Sequence, residues 1–190
     1  MGWFSFNRKQ KPEPAPKGRL EISDESGFIG IINGDLYQGF VNEDWELDDV
    51  LEKFRTQTNR GHCAIWSTGE PYDMAVQLLE SLSDQKAVRE ATINIQITDE
   101  SLWLANYTDL TMAAQFEDEP IPSKMNSHLR IALDNGNYEV HIRQMTEPKA
   151  YEWKEAPEYH FELVFERQEA FEKNQFENVL WWDQDDLSKE

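Results

Sequence analysis

Residues 128–145, HLRIALDNGNYEVHIRQM, constrain the fold of this chain more than any other stretch. Leu129, Ile131 and Leu133 alternate with polar positions, as do Tyr138, Val140 and Ile142, so both halves carry the two-residue period of half-buried strands. Asn135-Gly136 between them predicts a two-residue type I′ turn, because both central residues need positive φ and Asn and Gly reach it at least cost. The predicted hairpin sets Leu133 against Tyr138, Ile131 against Val140 and Leu129 against Ile142. Its other face carries Ala132 against Glu139 and Arg130 against His141. A slip of one residue would turn the whole apolar row into water, so one face must be buried against further strands.

The rest of the chain supplies them. Strand patterns are predicted in RLEIS, FIGIIN and LYQGFV within residues 19–41, in HCAIWST at 62–68, and at 91–98, 102–107, 110–116 and 159–165. The period changes between Glu43 and Thr58: Leu47, Val50, Leu51 and Phe54 recur at helical spacing behind Asp44, a suitable N-cap. Tyr72 to Leu82 fits either period, and the turn-like Gly69-Glu70-Pro71 favours strand. Many short strands with one firm helix predict a mainly β (α+β) fold, an antiparallel two-sheet sandwich or barrel-like domain.

A chain of 190 residues fits one domain, and such a domain buries roughly 70% of its unfolded surface without needing staples. Residues 1–18, MGWFSFNRKQKPEPAPKG, read as a flexible basic and aromatic tail, leaving 19–190 as a single globular domain. Trp3, Phe4 and Phe6 ahead of Arg8, Lys9 and Lys11 suit weak peripheral contact with a lipid surface. Phe6 stands where N-myristoylation requires Ser or Thr. No run of about 18 apolar residues exists, so no membrane span is expected, nor is a secretory signal. The single cysteine, Cys63, cannot form an intrachain disulfide, which suits a cytoplasmic location.

The net charge is −19. Residues 1–19 hold five cations against Glu13 alone, a local +4, so residues 20–190 carry −23. Such a field repels nucleic acid and speeds encounter with a basic partner, besides keeping the chain soluble.

Catalytic signatures are absent from the sequence. His62 and Cys63 are strand neighbours and point to opposite faces, so they do not form a nucleophile and base. No zinc, Walker or nucleophile-elbow motif occurs. The thirty-seven acidic residues make close carboxylate pairs inevitable and hence uninformative. No catalytic residue, cofactor or resident metal is expected. His141 and His160 fall on the outward faces of predicted strands; beside Glu139 or Glu162 they support an alternative, a small-ligand or metal-binding β-sandwich enzyme.

The order of features resembles the bacterial competence-locus nuclease inhibitors and, more loosely, acidic toxin-immunity proteins. The resemblance runs from Leu36-Tyr37-Gln38-Gly39-Phe40-Val41 through Asp44-Trp45 and the acidic helix. It continues through Gly61 to Thr68, Thr92-Ile93-Asn94-Ile95 and Asn135 to Val140, about the middle two thirds of the chain. It implies a non-enzymatic inhibitor that occupies the basic groove of a nuclease or similar toxin. The expected contact residues are the exposed helix acids Asp48, Asp49 and Glu52. Trp181 and Trp182, with Asp183, Asp185 and Asp186 behind them, would supply aromatic anchors and further charge.

Overall fold

The computed structural model describes residues 16–70, 72–147 and 158–182. In chain order the elements are β1 (Gly18–Asp24), β2 (Phe28–Ile32), α1 (Leu47–Asn59), β3 (Cys63–Ser67), β4 (Tyr72–Leu79), β5 (Arg89–Ile97), β6 (Ser101–Asn106), α2 (Tyr107–Gln115), β7 (Arg130–Ala132), β8 (Gly136–Gln144) and β9 (Phe161–Gln168). They build a five-stranded sheet, β1-β4-β9-β8-β5, facing a four-stranded sheet, β3-β2-β6-β7. The β4–β9 pairing is parallel and the other strand pairings are antiparallel. The predicted sandwich is thus present, and neither sheet closes into a barrel. The tail residues 1–15, with Trp3, Phe4 and Phe6, lie outside the described residues.

The sequence explains why the layers stack this way. In the four-stranded sheet, FIGII (β2) and CAIWS (β3) are buried at every position, as strands covered on both faces must be. Ile29, Ile31, Ala64 and Trp66 enter the core between the sheets, where they meet Ile93, Ile95, Val140, Phe161 and Leu163. Phe28, Ile32, Cys63 and Ile65 face the other way and meet Val50, Leu51 and Phe54 of α1 and Leu110 and Ala114 of α2. Among the described residues no helix covers the outer face of the five-stranded sheet, and β5 alternates buried isoleucines with polar residues.

The predicted hairpin is not formed, although the face it predicted is correct. Leu129, Ile131, Leu133, Tyr138, Val140 and Ile142 are all buried. Yet β7 pairs with β6, Leu102 opposite Ile131, while β8 pairs with β5 and β9, Val140 between Ile93 and Phe165. The two apolar rows face each other across the sandwich instead of lying side by side in one sheet. Residues 133–135 therefore cross between layers, next to the Asp99-Glu100 crossing from β5 to β6. Asn135 Oδ1 accepts from Glu100 N at 2.7 Å, and Leu133 N donates to Glu100 O at 3.2 Å, so the two crossings are tied together. Asn135 has no positive φ, and Glu100 (φ 48°) takes the left-handed backbone instead.

Three further expectations are corrected. LYQGFV (36–41) is a loop: Asn33 Oδ1 accepts from Asp35 N and Leu36 N at 3.0 and 3.1 Å, which turns the chain across α2. Residues 110–115 belong to α2 and Phe116 is its extended C-cap, because Asn106 caps the start by accepting from Asp109 N and Leu110, Ala113 and Ala114 share the buried face. The first helix begins later than expected, with Glu46 as N-cap in place of Asp44. Tyr72–Leu79 is a strand, as favoured.

Candidate functional site

The helix α1 presents its acids as the sequence implied. Val50, Leu51 and Phe54 bury one stripe, which leaves Asp48, Asp49 and Glu52 exposed on the opposite side. Their roles differ. Asp49 Oδ2 accepts from Glu46 N at 3.1 Å, so this carboxylate closes the capping box and stabilises the first turn. Glu52 holds Arg55 in a two-pronged ion pair, Oε2 to Nε at 2.9 Å and Oε1 to Nη2 at 2.5 Å, which draws its carboxyl below the usual range. Asp48 has no described ion-pair partner.

The structure brings part of the second predicted group beside them. After β9 the chain returns past the end of α1, held by Asn174 Nδ2 to Thr58 O and Asn94 O at 2.7 and 2.8 Å. Asn59 and Phe176 then exchange two hydrogen bonds, at 2.9 and 2.8 Å. Phe171 presses on Gly61, whose φ of 76° and lack of a side chain allow the approach; a Cβ there would lie 2.3 Å from the ring. The segment ends by extending the four-stranded sheet, with Leu180 bridging Trp66 and Ser67 N donating to Leu180 O at 2.9 Å. A cleft of about 150 Å3 results, walled by Asp48, Glu52 and Arg55 on α1 and by Glu177 and Trp182 on the returning chain.

The two tryptophans do turn to opposite sides, and both are half-buried. Trp182 packs at a tilt on Phe28 of the helix-side core, ring centroids 5.0 Å apart, while Trp181 packs against the core between the sheets under the Arg89 guanidinium at 4.5 Å. Trp182 forms one wall of the acidic cleft. Asp183, Asp185 and Asp186 follow it directly and lie outside the described residues. Glu177 was missed because nothing in its local pattern shows that 177–182 folds back onto α1.

The alternative pair of histidines is not brought together. His160 is buried, not outward, because it crosses to β4: its Nδ1 accepts from Ala75 N at 2.9 Å and its own N–H donates to Ala75 O at 2.8 Å. Glu162 is also buried and is committed to Arg143 at 2.7 Å. His141 does lie on the outer sheet face, opposite Val164 of β9, with Glu139 beside it. Burial pushes the Cys63 thiol up to about 12, and its Sγ faces Thr58 Oγ1, so it is a packed small side chain and not a nucleophile.

His160 gives the fold a dependence on pH whose sign follows from its surroundings. Burial first, and Arg19 second, hold its imidazole below the usual range. The unfolded chain takes up the proton near pH ~6.5, whereas the folded chain resists it. Its stabilising contribution is therefore complete above that pH and is lost as pH falls through the lower folded value. His62 is shifted the same way, by burial and Arg60. Melting temperature is expected to fall between about pH 7 and about pH 5, and less steeply in His160→Asn, which keeps an acceptor for Ala75 N. Equal slopes in the two proteins would mean that His160 is not a source.

No family model matches the chain, and no curated protein is similar to it at a significant level. Among solved structures it is similar to the protein described as crocagin biosynthetic gene J, with 10% identity, a TM-score of 0.48 and coverage of 78% of this chain and 95% of that one. It is also similar to ComJ of Bacillus subtilis, described as an inhibitor of the DNA degrading activity of NucA, with 12% identity, a TM-score of 0.41 and coverage of 80% and 95%. Both likenesses are loose in shape, and no residue role is carried over from either protein.

Proposed function

We propose that this chain is an acidic, non-enzymatic binding protein of the cytoplasm that inhibits a basic partner such as a nuclease toxin. The observation that carries the reading is the cleft between α1 and the returning chain, where, among the described residues, Asp48, Glu52 and Glu177 meet one cation, Arg55. Asp183, Asp185 and Asp186 extend the same charge along the chain beyond Trp182. A rigid helix and a segment pinned to it present carboxylates in fixed register, which suits a groove lined by Lys and Arg. Trp182 offers the apolar wall against which a partner side chain would be desolvated, since rim charges mainly raise the association rate.

The test separates this surface from general acidity. The native complex is recovered at low salt and its partner identified by mass spectrometry. Association is then measured across ionic strength for the wild type and for Asp48→Asn/Glu52→Gln/Glu177→Gln. The triple variant is expected to associate about tenfold more slowly at low salt, with a flatter salt dependence. Asp49 is left in place because it caps the helix. Losing the exposed Glu52–Arg55 pair should change stability by less than about 1 kcal/mol. A triple variant that matches the wild-type rate at every ionic strength would reduce this cleft to a solvated face.

A further inference from the structure

The outer face of the five-stranded sheet carries a second cluster, far from α1 in the layer order. β8 and β9 place Glu139 directly opposite Glu166, and His141, two residues along β8, reaches both. Two carboxylates set opposite each other on neighbouring strands repel, and a positive charge between them relieves that cost. Among the described residues no Lys or Arg does so, and each carboxylate's ion-pair partner is His141.

The distances suit a bound cation better than a hydrogen-bonded imidazole. His141 Nε2 lies 3.4 Å from Glu139 Oε1 and 3.5 Å from Glu166 Oε1. Charge-assisted N–H···O bonds close to about 2.8 Å, so neither contact is a formed hydrogen bond. A tetrahedral Zn2+ with bonds of about 2.1 Å separates its ligands by about 3.4 Å, which both contacts match. The three ligand atoms all lie within 4.8 Å of one another, so a small movement of Glu166 closes the third edge. Nε2 is screened from water and has no hydrogen-bond partner among the described residues. The ring's other nitrogen, Nδ1, lies 3.4 Å from Thr92 Oγ1 on β5, the position of the outer partner that orients a metal-bound imidazole.

We propose that Glu139, His141 and Glu166 bind a first-row divalent cation of the Zn2+ type through Nε2 and one oxygen from each carboxylate. The imidazole disfavours Mg2+ and Ca2+, which take oxygen ligands. With three protein ligands, a fourth tetrahedral position remains for water or for a donor from another molecule.

Calorimetric titration of the full chain with ZnCl2 at neutral pH is expected to show one site that a hundredfold excess of Mg2+ or Ca2+ does not displace. His141→Ala and Glu166→Gln should each weaken it at least about tenfold. His128→Ala, at an exposed histidine on the loop before β7, should leave it unchanged. Co2+ in place of Zn2+ should give the visible absorption of a four-coordinate site, lost in His141→Ala. Glu166 is 56% exposed, so its substitution spares the fold, and a thermal melt verifies both variants. Zn2+ bound equally well by folded His141→Ala and Glu166→Gln lies on other carboxylates, and that result overturns the proposal. So does a wild type that takes up no Zn2+.

Discussion

Replacing Arg143 by Met is expected to destabilise the fold by about 3–5 kcal/mol, because it leaves the Glu162 carboxylate buried without its counter-charge. Glu162 is fully buried and Arg143 nearly so, their contact being 2.7 Å with side-chain exposures of 0% and 9%. The strand register puts them directly opposite on β9 and β8. Most of the remaining capacity of both groups is used: Tyr159 OH donates to Glu162 Oε1 at 2.8 Å, Ser83 Oγ to the same oxygen at 2.5 Å, and Arg143 to Ser83 O and Gln85 O at 3.1 and 2.5 Å, while Arg143 Nε has only the Glu90 carboxylate at 3.5 Å. The pair thus pins the 83–88 loop over the outer sheet face and keeps water from it. A urea melt should show the loss as a lower midpoint, a large share of the roughly 5–15 kcal/mol that holds an ordinary domain. The double variant Arg143→Met/Glu162→Leu should recover most of it, because removing both charges removes the unpaired one. A single-variant loss under about 1 kcal/mol would mean that the carboxylate reaches water and the loop does not seal it.

How far the sequence could be read depends on whether a feature is local or lies between elements. Alternation in Ala91 to Ile97 and helical spacing through Leu47, Val50, Leu51 and Phe54 were legible, since each records which side of one element meets a core. The partner of an apolar row was not. Leu129, Ile131 and Leu133 needed burial against Tyr138, Val140 and Ile142, and pairing within a sheet or stacking between sheets satisfies the same pattern. Asn135-Gly136 tipped the reading towards a hairpin, while the structure uses the Asn135 side chain to tie two layer crossings together. α2 was missed for a different reason. TDLTMAAQ has few large apolar residues, because it rests on Ala105, itself buried, through Leu110 and Ala114.

The same division runs through the sites. Exposure of Asp48 and Glu52 followed from the helix period, but their meeting with Glu177 required the fold-back of the C-terminal chain that Asn174 and Phe171 secure. Glu139 and His141 are readable as neighbours on one strand face. Glu166 joins them only through the β8–β9 register, which no single-strand pattern contains. His160 was misplaced because strand alternation was extended from Tyr159, two residues ahead of the start of β9, where the chain turns the imidazole towards β4.

The other large effect is expected at Asp24, the buried carboxylate where β1 ends and the chain crosses to the second sheet. Its Oδ2 accepts from Ser26 N, Gly27 N and Phe28 N at 3.2, 2.5 and 3.0 Å, and its Oδ1 from Tyr107 N at 3.0 Å, in the first turn of α2. One side chain therefore shapes the β1–β2 corner and meets a helix start whose dipole favours negative charge. Asp24→Ala strips all four donors of their acceptor, and with some of them still buried the loss should be about 3–5 kcal/mol. Asp24→Asn should lose much less. Its carbonyl can take the Oδ2 position and keep the corner, and only Tyr107 N then faces a donor. Burial raises the Asp24 carboxyl above its usual range, outweighing the hydrogen bonds that lower it. The native state therefore prefers the proton more than the unfolded chain does, and wild-type stability falls as pH rises from below ~3.9 through the higher folded value. Asn escapes that fall, so the advantage of wild type over Asp24→Asn should be greatest in acid and shrink towards neutrality, read as the difference in urea midpoints across pH. An Ala variant as stable as the Asn variant would show that water satisfies these backbone donors and that Asp24 does not organise the crossing.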